Sequence, residues 1–237
     1  MATLHREPIG NNCLIKRFMR GIFNKRPSLP RYAATWDVSL VLNFLRISCP
    51  GDVSLKELSM RTATLMALAT GQRVQTLRSL TIDASCLNIK GDTCTIYTDA
   101  ILKQTRPGHH LAPITIKNLA NKNICLLHHL SVYLSRTATL RGDHKDLFIS
   151  SQKPFKPVSK DTISRWIRGT LSQAGVDTTV FGAHSTRSAS TTAASAAGAP
   201  VDLIMSVAGW SSERTFANHY KRPISINENF SDYVLQT

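Results

Sequence analysis

Acidic residues are scarce in this chain. Only 15 Asp and Glu stand against 29 Lys and Arg in 237 residues, a formal net charge of +14. A surface so poor in carboxylates repels cationic partners and suits a polyanion, because each phosphate neutralised by Lys or Arg releases a condensed counterion. Cysteine is sparse too: Cys13, Cys49, Cys86, Cys94 and Cys125 are odd in number, scattered, and form no C-x-x-C pair. Neither a disulfide framework nor a zinc site is expected, and a reducing compartment follows. The pairs His109-His110 and His128-His129 carry no third ligand at a suitable spacing, and adjacent residues point apart on a helix or strand, so no metal centre is expected. No apolar run is long enough for a bilayer span and no cleavable secretory signal is visible, so no membrane partner and an intracellular location are expected. Internal repeats are lacking, and the one biased tract is the Ser/Thr/Ala run at 188–197.

What is present is enough for a folded core. The apolar fraction is 42% with aromatics at 7%, and the length suits one domain or one and a part. Residues 13–26 have helical texture, stopped by Pro27 and Pro30. The basic stretch from Lys16-Arg17 to Lys25-Arg26 reads either as an organelle presequence or as a solvated, DNA-facing helix. A second amphipathic helix spans Trp36–Leu45, and Cys49-Pro50-Gly51-Asp52 breaks the pattern, which puts a domain boundary near Pro50. Ser54 and Glu57 have the spacing of a capping box, and the helix they open halts at Thr70-Gly71.

The period then changes. Leu87–Ile89 and Thr93–Tyr97 alternate around Lys90-Gly91-Asp92 as a hairpin, Pro107-Gly108 marks a second turn, and Ile114–Ile116 reads as a third short strand. Helical spacing returns from Asn123 to Thr139, Asp146–Ile149 is extended, and a helix from Ser159 to Ala174 stops at Gly175. The expected class is α+β: a mainly helical domain with a small three-stranded antiparallel sheet.

Six side chains then stand out, in order: Arg73, Lys103, His184, Arg187, Trp210 and Tyr220. A phosphodiester repels a nucleophile, and its pentacoordinate transition state carries still more negative charge. Without a metal, fixed cations must answer that charge, and the arginine fork suits phosphate oxygens. Arg73 follows Gly71, where one helix breaks and the next begins; Arg187 lies three residues after His184, so on a helix the two share a face. Lys103, at the end of the hairpin strand, is a candidate general acid for a 5′ oxygen, because a cationic pocket lowers a lysine pKa. His184 can relay a proton, Trp210 offers one N–H, and Tyr220 is the candidate nucleophile on a short helix capped by Ser211 or Ser212, running to about Lys221 and ended by Pro223. Singly, each has an ordinary reading: Arg73 a surface cation, His184 a helix cap near Gly182, Trp210 and Tyr220 core aromatics.

Together, the segments Thr70-Gly71-Gln72-Arg73-Val74-Gln75-Thr76-Leu77, Lys103-Gln104-Thr105-Arg106-Pro107-Gly108, Ala183-His184-Ser185-Thr186-Arg187 and Ala208-Gly209-Trp210 through Asn218-His219-Tyr220 resemble the tyrosine recombinase/phage integrase family, closest to the recombinases of DIRS-like and Crypton-type mobile elements. The resemblance covers roughly residues 50–222. It implies an arginine clamp of Arg73 and Arg187, Lys103 as hairpin lysine, His184 as box histidine, Trp210 at the second His/Trp position and Tyr220 as nucleophile. It further implies strand cleavage and rejoining through a 3′-phosphotyrosine, with no metal, ATP or small-molecule cofactor. The partner is double-stranded DNA, bound as a homotetramer, in the nucleus of a eukaryote or otherwise with the nucleoid.

The implied division is a partial helical DNA-clamp region over 1–50, a catalytic domain over 51–223 and a tail over 224–237. That tail docks either on a neighbouring subunit or on its own core. Thr76 stands where many family members carry an acidic residue that braces the arginine, so Arg73 needs another acceptor. The step from Trp210 to Tyr220 is one residue longer than in many phage-type members. Two alternatives use the same residues: a truncated or domesticated DNA-binding protein without strand transfer, and a type IB topoisomerase-like nicking-closing enzyme.

Overall fold

Asn12 opens the first helix, α1 (Cys13–Lys25), its side-chain oxygen accepting from the Leu14 and Ile15 N–H groups at 3.0 and 3.3 Å. Ahead of it lie two short antiparallel strands, β1 (Thr3–Leu4) and β2 (Glu7–Pro8), and a 3-10 turn, Ile9–Asn11. The computed structural model describes residues 3–4, 7–27, 32–102, 105, 107–108, 110–210, 213, 216–217, 220 and 222–224. Two compact units divide the chain, Met1–Ala33 and Ala34–Thr237. In the first, α1 turns Leu14, Phe18, Met19, Ile22 and Phe23 outward on one exposed face, opposite Lys16, Arg17 and Arg20.

The second unit opens with α2 (Val38–Arg46), capped by the Asp37 side chain, which accepts from Ser39 N–H at 2.8 Å. Val41 and Leu45, one turn apart, are fully buried. The sequence reading placed this segment upstream of a boundary at Pro50; here α2 packs within the second unit, against later helices. A helix breaker marks the end of an element, and only tertiary contacts decide which body the element joins.

α3 (Leu55–Thr70) is the central helix. Ser54 Oγ accepts from Glu57 N–H at 3.2 Å, as the capping spacing predicts, and Gly71 ends the helix at φ 58°. Leu58, Ala63, Leu65, Met66, Ala67 and Leu68 are all buried, because α5 (Leu126–Thr137), α6 (Lys160–Gln173) and α7 (Ser185–Ala196) surround the helix. The α6 crossing is tight: a Cβ at Gly169 would come within 2.8 Å of Met60 Cε. Between α3 and the sheet lies α4 (Val74–Arg78). The sheet runs β3 (Leu87–Lys90), β4 (Thr93–Ile96), β5 (Ile114–Lys117), antiparallel throughout, with Leu87 opposite Ile96 and Ile96 opposite Ile114. Cys94, Ile96, Ile114 and Ile116 turn into the same core as α3. The α+β class expected from the sequence is therefore observed. The extended piece 146–149 forms two isolated bridges, Thr81 with Asp146 and Ile149 with Pro157. The Ser/Thr/Ala run is helix α7, followed by α8 (Val201–Ala208). No helix among the described residues is long and apolar enough to cross a membrane.

One buried titratable group inside this core has a measurable consequence. His129 on α5 is fully buried; its Nδ1 lies 3.1 Å from the Cys125 carbonyl and its Nε2 has no partner. Burial pushes its pKa down to about 4, with the charges of Arg61 and His128 acting in the same direction. The unfolded chain takes up this proton near pH 6.5 and the folded chain only near 4. The stability is thus complete above pH 6.5 and is lost as the pH falls towards 4, by about 3 kcal/mol. Denaturant unfolding at pH 7 and pH 4.5 should show a loss for the natural chain that is largely absent in His129→Leu; equal losses in both would remove His129 as the cause.

Candidate active site

The site is built around α7. Its N-terminus is tied down locally: Ser185 N–H and Oγ both donate to the Gly182 carbonyl, at 2.9 and 2.7 Å, and Thr186 Oγ1 donates to Ala183 at 2.7 Å. His184 occupies the cap position, yet its side chain makes no capping bond. It is exposed, and its ring meets that of Tyr220 edge-on, centroids 6.4 Å apart. Arg187 is already inside the helix, so the two candidates stand on either side of the helix start.

Arg187 is 1% exposed, the largest fully buried side chain among the described residues. Its Nη1 donates to the Gly71 carbonyl and its Nη2 to the Ala208 carbonyl, both at 2.6 Å. Each acceptor stands where a helix ends on a left-handed glycine, Gly71 after α3 and Gly209 after α8. Helix C-termini present unpaired carbonyls and the negative end of the dipole, so a cation fits between them. The guanidinium carbon lies 4.4 Å from the Trp210 ring centroid and 5.4 Å from that of Tyr220.

Burial pushes the Arg187 guanidinium down to about 10. The charge of Arg73 acts in the same direction, while the Tyr220 side chain, hydrogen-bonded to the guanidinium, opposes both. Arg187 therefore stays protonated at neutral pH. Arg73 itself is half-buried at the N-cap of α4, with φ −74° and ψ 151°. An anion beside these two arginines would reverse the second cause of the shift.

Trp210 is buried; its ring stacks on Phe216 at 5.5 Å and tilts over Tyr220 at 4.3 Å. Two buried donors here have no partner, Arg187 Nε and Trp210 Nε1. A buried N–H without an acceptor is costly, by about 1–3 kcal/mol, so both donors are open to an acceptor oxygen. Tyr220 is half-buried, its own N–H closing one helical turn onto Phe216 O at 2.9 Å. Glu213, Phe216 and Ala217 are helical, and the expected cap and end of that helix, Ser211, Ser212 and Lys221, lie outside the described residues.

Five of the six candidates thus belong to one cluster of α3, α4, α7 and α8 ends: Arg73, His184, Arg187, Trp210 and Tyr220. Lys103 lies outside the described residues. The sequence reading gives no role to Gln72, which is 1% exposed and donates from Nε2 to the Val207 carbonyl, or to Phe216 under Trp210. Only the position of Gln72 between Gly71 and Arg73 hinted at this. Among the described residues no group of three His, Cys, Asp or Glu could hold a metal ion.

The model of the phage integrase family matches residues 41–224. The chain belongs to the phage integrase family. Among solved structures it is similar to XerA recombinase, at 19% identity over 88% of this chain and 64% of that one, TM-score 0.58. It is also similar to XerH site-specific recombinase bound to palindromic difH substrate in a post-cleavage complex, at 16% identity over 77% of this chain and 48% of that one, TM-score 0.58. A third is a lambda integrase dimer bound to a COC′ core site, at 16% identity over 88% of this chain and 55% of that one, TM-score 0.51. This phage integrase family chain thus spans about half to two thirds of the length of these structures, and at such identities the likeness is one of fold. No curated protein matches it in sequence.

The buried fork makes a prediction that needs no DNA. In Arg187→Lys a single ammonium replaces a planar fork, so the Gly71 and Ala208 carbonyls are not both satisfied. Urea unfolding of the free protein should show a loss of about 2 kcal/mol; an unchanged midpoint would mean that the arginine does not tie the two helix ends.

Proposed function

We propose that this chain is a site-specific DNA recombinase that cleaves and rejoins duplex DNA through a 3′-phosphotyrosyl bond at Tyr220. The observation that carries the reading is the convergence on one buried guanidinium, Arg187, of Trp210, Tyr220 and the charge of Arg73, with His184 against the tyrosine ring. Membership of the phage integrase family and the +14 net charge support it. So do the DNA-bound complexes of XerH and lambda integrase, among them a lambda integrase tetramer bound to a Holliday junction (TM-score 0.50). The active assembly is a homotetramer on DNA.

In the proposed step Arg73 and Arg187 hold the scissile phosphate, with the Trp210 N–H on a further oxygen. Tyr220 Oη attacks phosphorus as His184 takes up its proton; the bond to the 5′ oxygen breaks, and that oxygen leaves with a proton from Lys103. Attack of a 5′ hydroxyl on the phosphotyrosine reverses each transfer, so rejoining uses no ATP and no metal. The role of Lys103 rests on the resemblance alone. Residues 51–223 carry this chemistry, residues 34–50 belong to the same compact unit, 1–33 contribute to the DNA clamp, and 224–237 form the tail. The Thr70–Leu77, Lys103–Gly108 and Ala208–Phe216 segments favour a mobile element of the DIRS-like or Crypton type as the source. The site of action is then nuclear in a eukaryote and the nucleoid otherwise.

The test uses nicked suicide duplexes from the DNA flanking the gene, resolved on a denaturing gel. The natural chain should give a covalent adduct that Tyr220→Phe abolishes and Arg187→Ala reduces at least about a hundredfold. An adduct that persists in Tyr220→Phe rules out the nucleophile. Salt-sensitive duplex binding with no adduct would instead leave a DNA-binding protein without strand transfer.

A further inference from the structure

Four hydroxyls of α7, between Ser188 and Thr192, fall into two groups. Ser190 and Thr191 turn back onto their own helix, donating to the Arg187 carbonyl at 3.3 and 2.7 Å, the usual behaviour of Ser and Thr inside a helix. Ser188 and Thr192 do not. One turn apart on the same face, they both donate to the main-chain oxygen of Tyr220, at 2.8 and 3.0 Å. Thr192 Oγ1 also accepts from the Arg222 N–H at 3.2 Å. Both side chains are buried, at 6% and 8% exposure.

The Tyr220 carbonyl needs such donors. It stands at the end of a turn closed by Tyr220 N–H on Phe216 O, where the last carbonyls of a helix have no amide of their own. The residue three further on is Pro223, which has no N–H to give. Just beyond, the Thr35 N–H donates to the Pro223 carbonyl at 2.8 Å. The exit from Tyr220 is thereby pinned on both sides.

We propose that Ser188 and Thr192 are positioning residues for Tyr220, fixing its backbone to the helix that carries Arg187. The inference rests on the reading of Tyr220 as nucleophile and deepens it. One rigid helix then sets both the guanidinium that holds the phosphate and the origin of the side chain that attacks it. Reaction rates respond steeply to such placement: a misplacement of about 1 Å costs on the order of a hundredfold. Both side chains are buried and spent on the Tyr220 carbonyl, so removing them should leave binding alone and slow the chemistry.

The experiment measures single-turnover adduct formation at saturating suicide duplex, with duplex affinity and thermal unfolding recorded for each variant. Ser188→Ala combined with Thr192→Val should slow adduct formation about 10- to 100-fold with affinity within about twofold of the natural chain. Each single change should give a smaller loss, which keeps the test intact if the double variant unfolds. Thr192→Ser, which keeps the hydroxyl, should restore most of the rate. Thr191→Val, which removes a hydroxyl bonded only within α7, should leave it unchanged. A Tyr220-dependent adduct in the natural chain with Ser188→Ala and Thr192→Val at full rate would overturn the positioning role and leave the nucleophile standing. Slowing by Thr191→Val equal to that by Thr192→Val would overturn it too, as a general weakening of α7. Absence of an adduct from the natural chain itself removes the reading of Tyr220 and the inference with it.

Discussion

The site depends on how one positive charge is kept in a place that water does not reach. Arg187 is buried, and main-chain oxygens at the C-terminal ends of α3 and α8, not a carboxylate, accept from its Nη1 and Nη2. The difference matters for an anion site. A carboxylate brace would bring a full negative charge and cancel the cation it holds. Two helix ends supply about half a charge each, spread over carbonyls that need donors in any case. The arginine is held in place and keeps its attraction for phosphate.

Burial has a second effect. Trp210 and Tyr220 cover the guanidinium, and Phe216 backs the tryptophan, so the charge lies under aromatic faces rather than in bulk water. In that setting electrostatic interactions are stronger and unsatisfied donors are more expensive. Arg187 has five N–H groups, of which two are given to Gly71 and Ala208. Its Nε and the Trp210 Nε1 have no acceptor within the protein, and an oxyanion would be a fitting partner for both. The same geometry that lowers the pKa of Arg187 is the one that rewards bringing in negative charge.

What the sequence made legible follows local rules. Ser54 with Glu57, Gly71 as a helix stop, the hairpin at Lys90-Gly91-Asp92 and the Ser159 cap all act over a few residues, and all are found where the patterns placed them. The order of Arg73, His184, Arg187, Trp210 and Tyr220 was equally visible, although nothing in their spacing announces that Arg187 would be buried. Less legible were features decided by distant partners. The helix start expected at Asn123 falls instead in a 3-10 turn, Lys122–Ile124, with α5 beginning at Leu126, because Asn123 bonds away to the Arg46 carbonyl. The Ser/Thr/Ala run looked like biased composition. A hydroxyl carries no sign of whether it will bond its own helix or a carbonyl 28 or 32 residues further along.

The beginning of the second unit at Ala34 has the same physical origin. Thr35 and Trp36 precede α2 and belong to the frame of the site: the Trp36 Nε1–H donates to Ser185 Oγ at 2.9 Å, at the start of α7, and the Thr35 N–H donates to the Pro223 carbonyl beyond Tyr220. Both are almost fully buried. Two consecutive residues thus link the helix that carries the arginine to the exit of the tyrosine segment. Cutting at Pro50, where the helical pattern breaks, would leave Ser185 and Pro223 without these donors and uncover the face on which Val41 and Leu45 pack. Chain breaks read from composition mark where a helix stops; the boundary of this body is set by which backbone the site cannot do without.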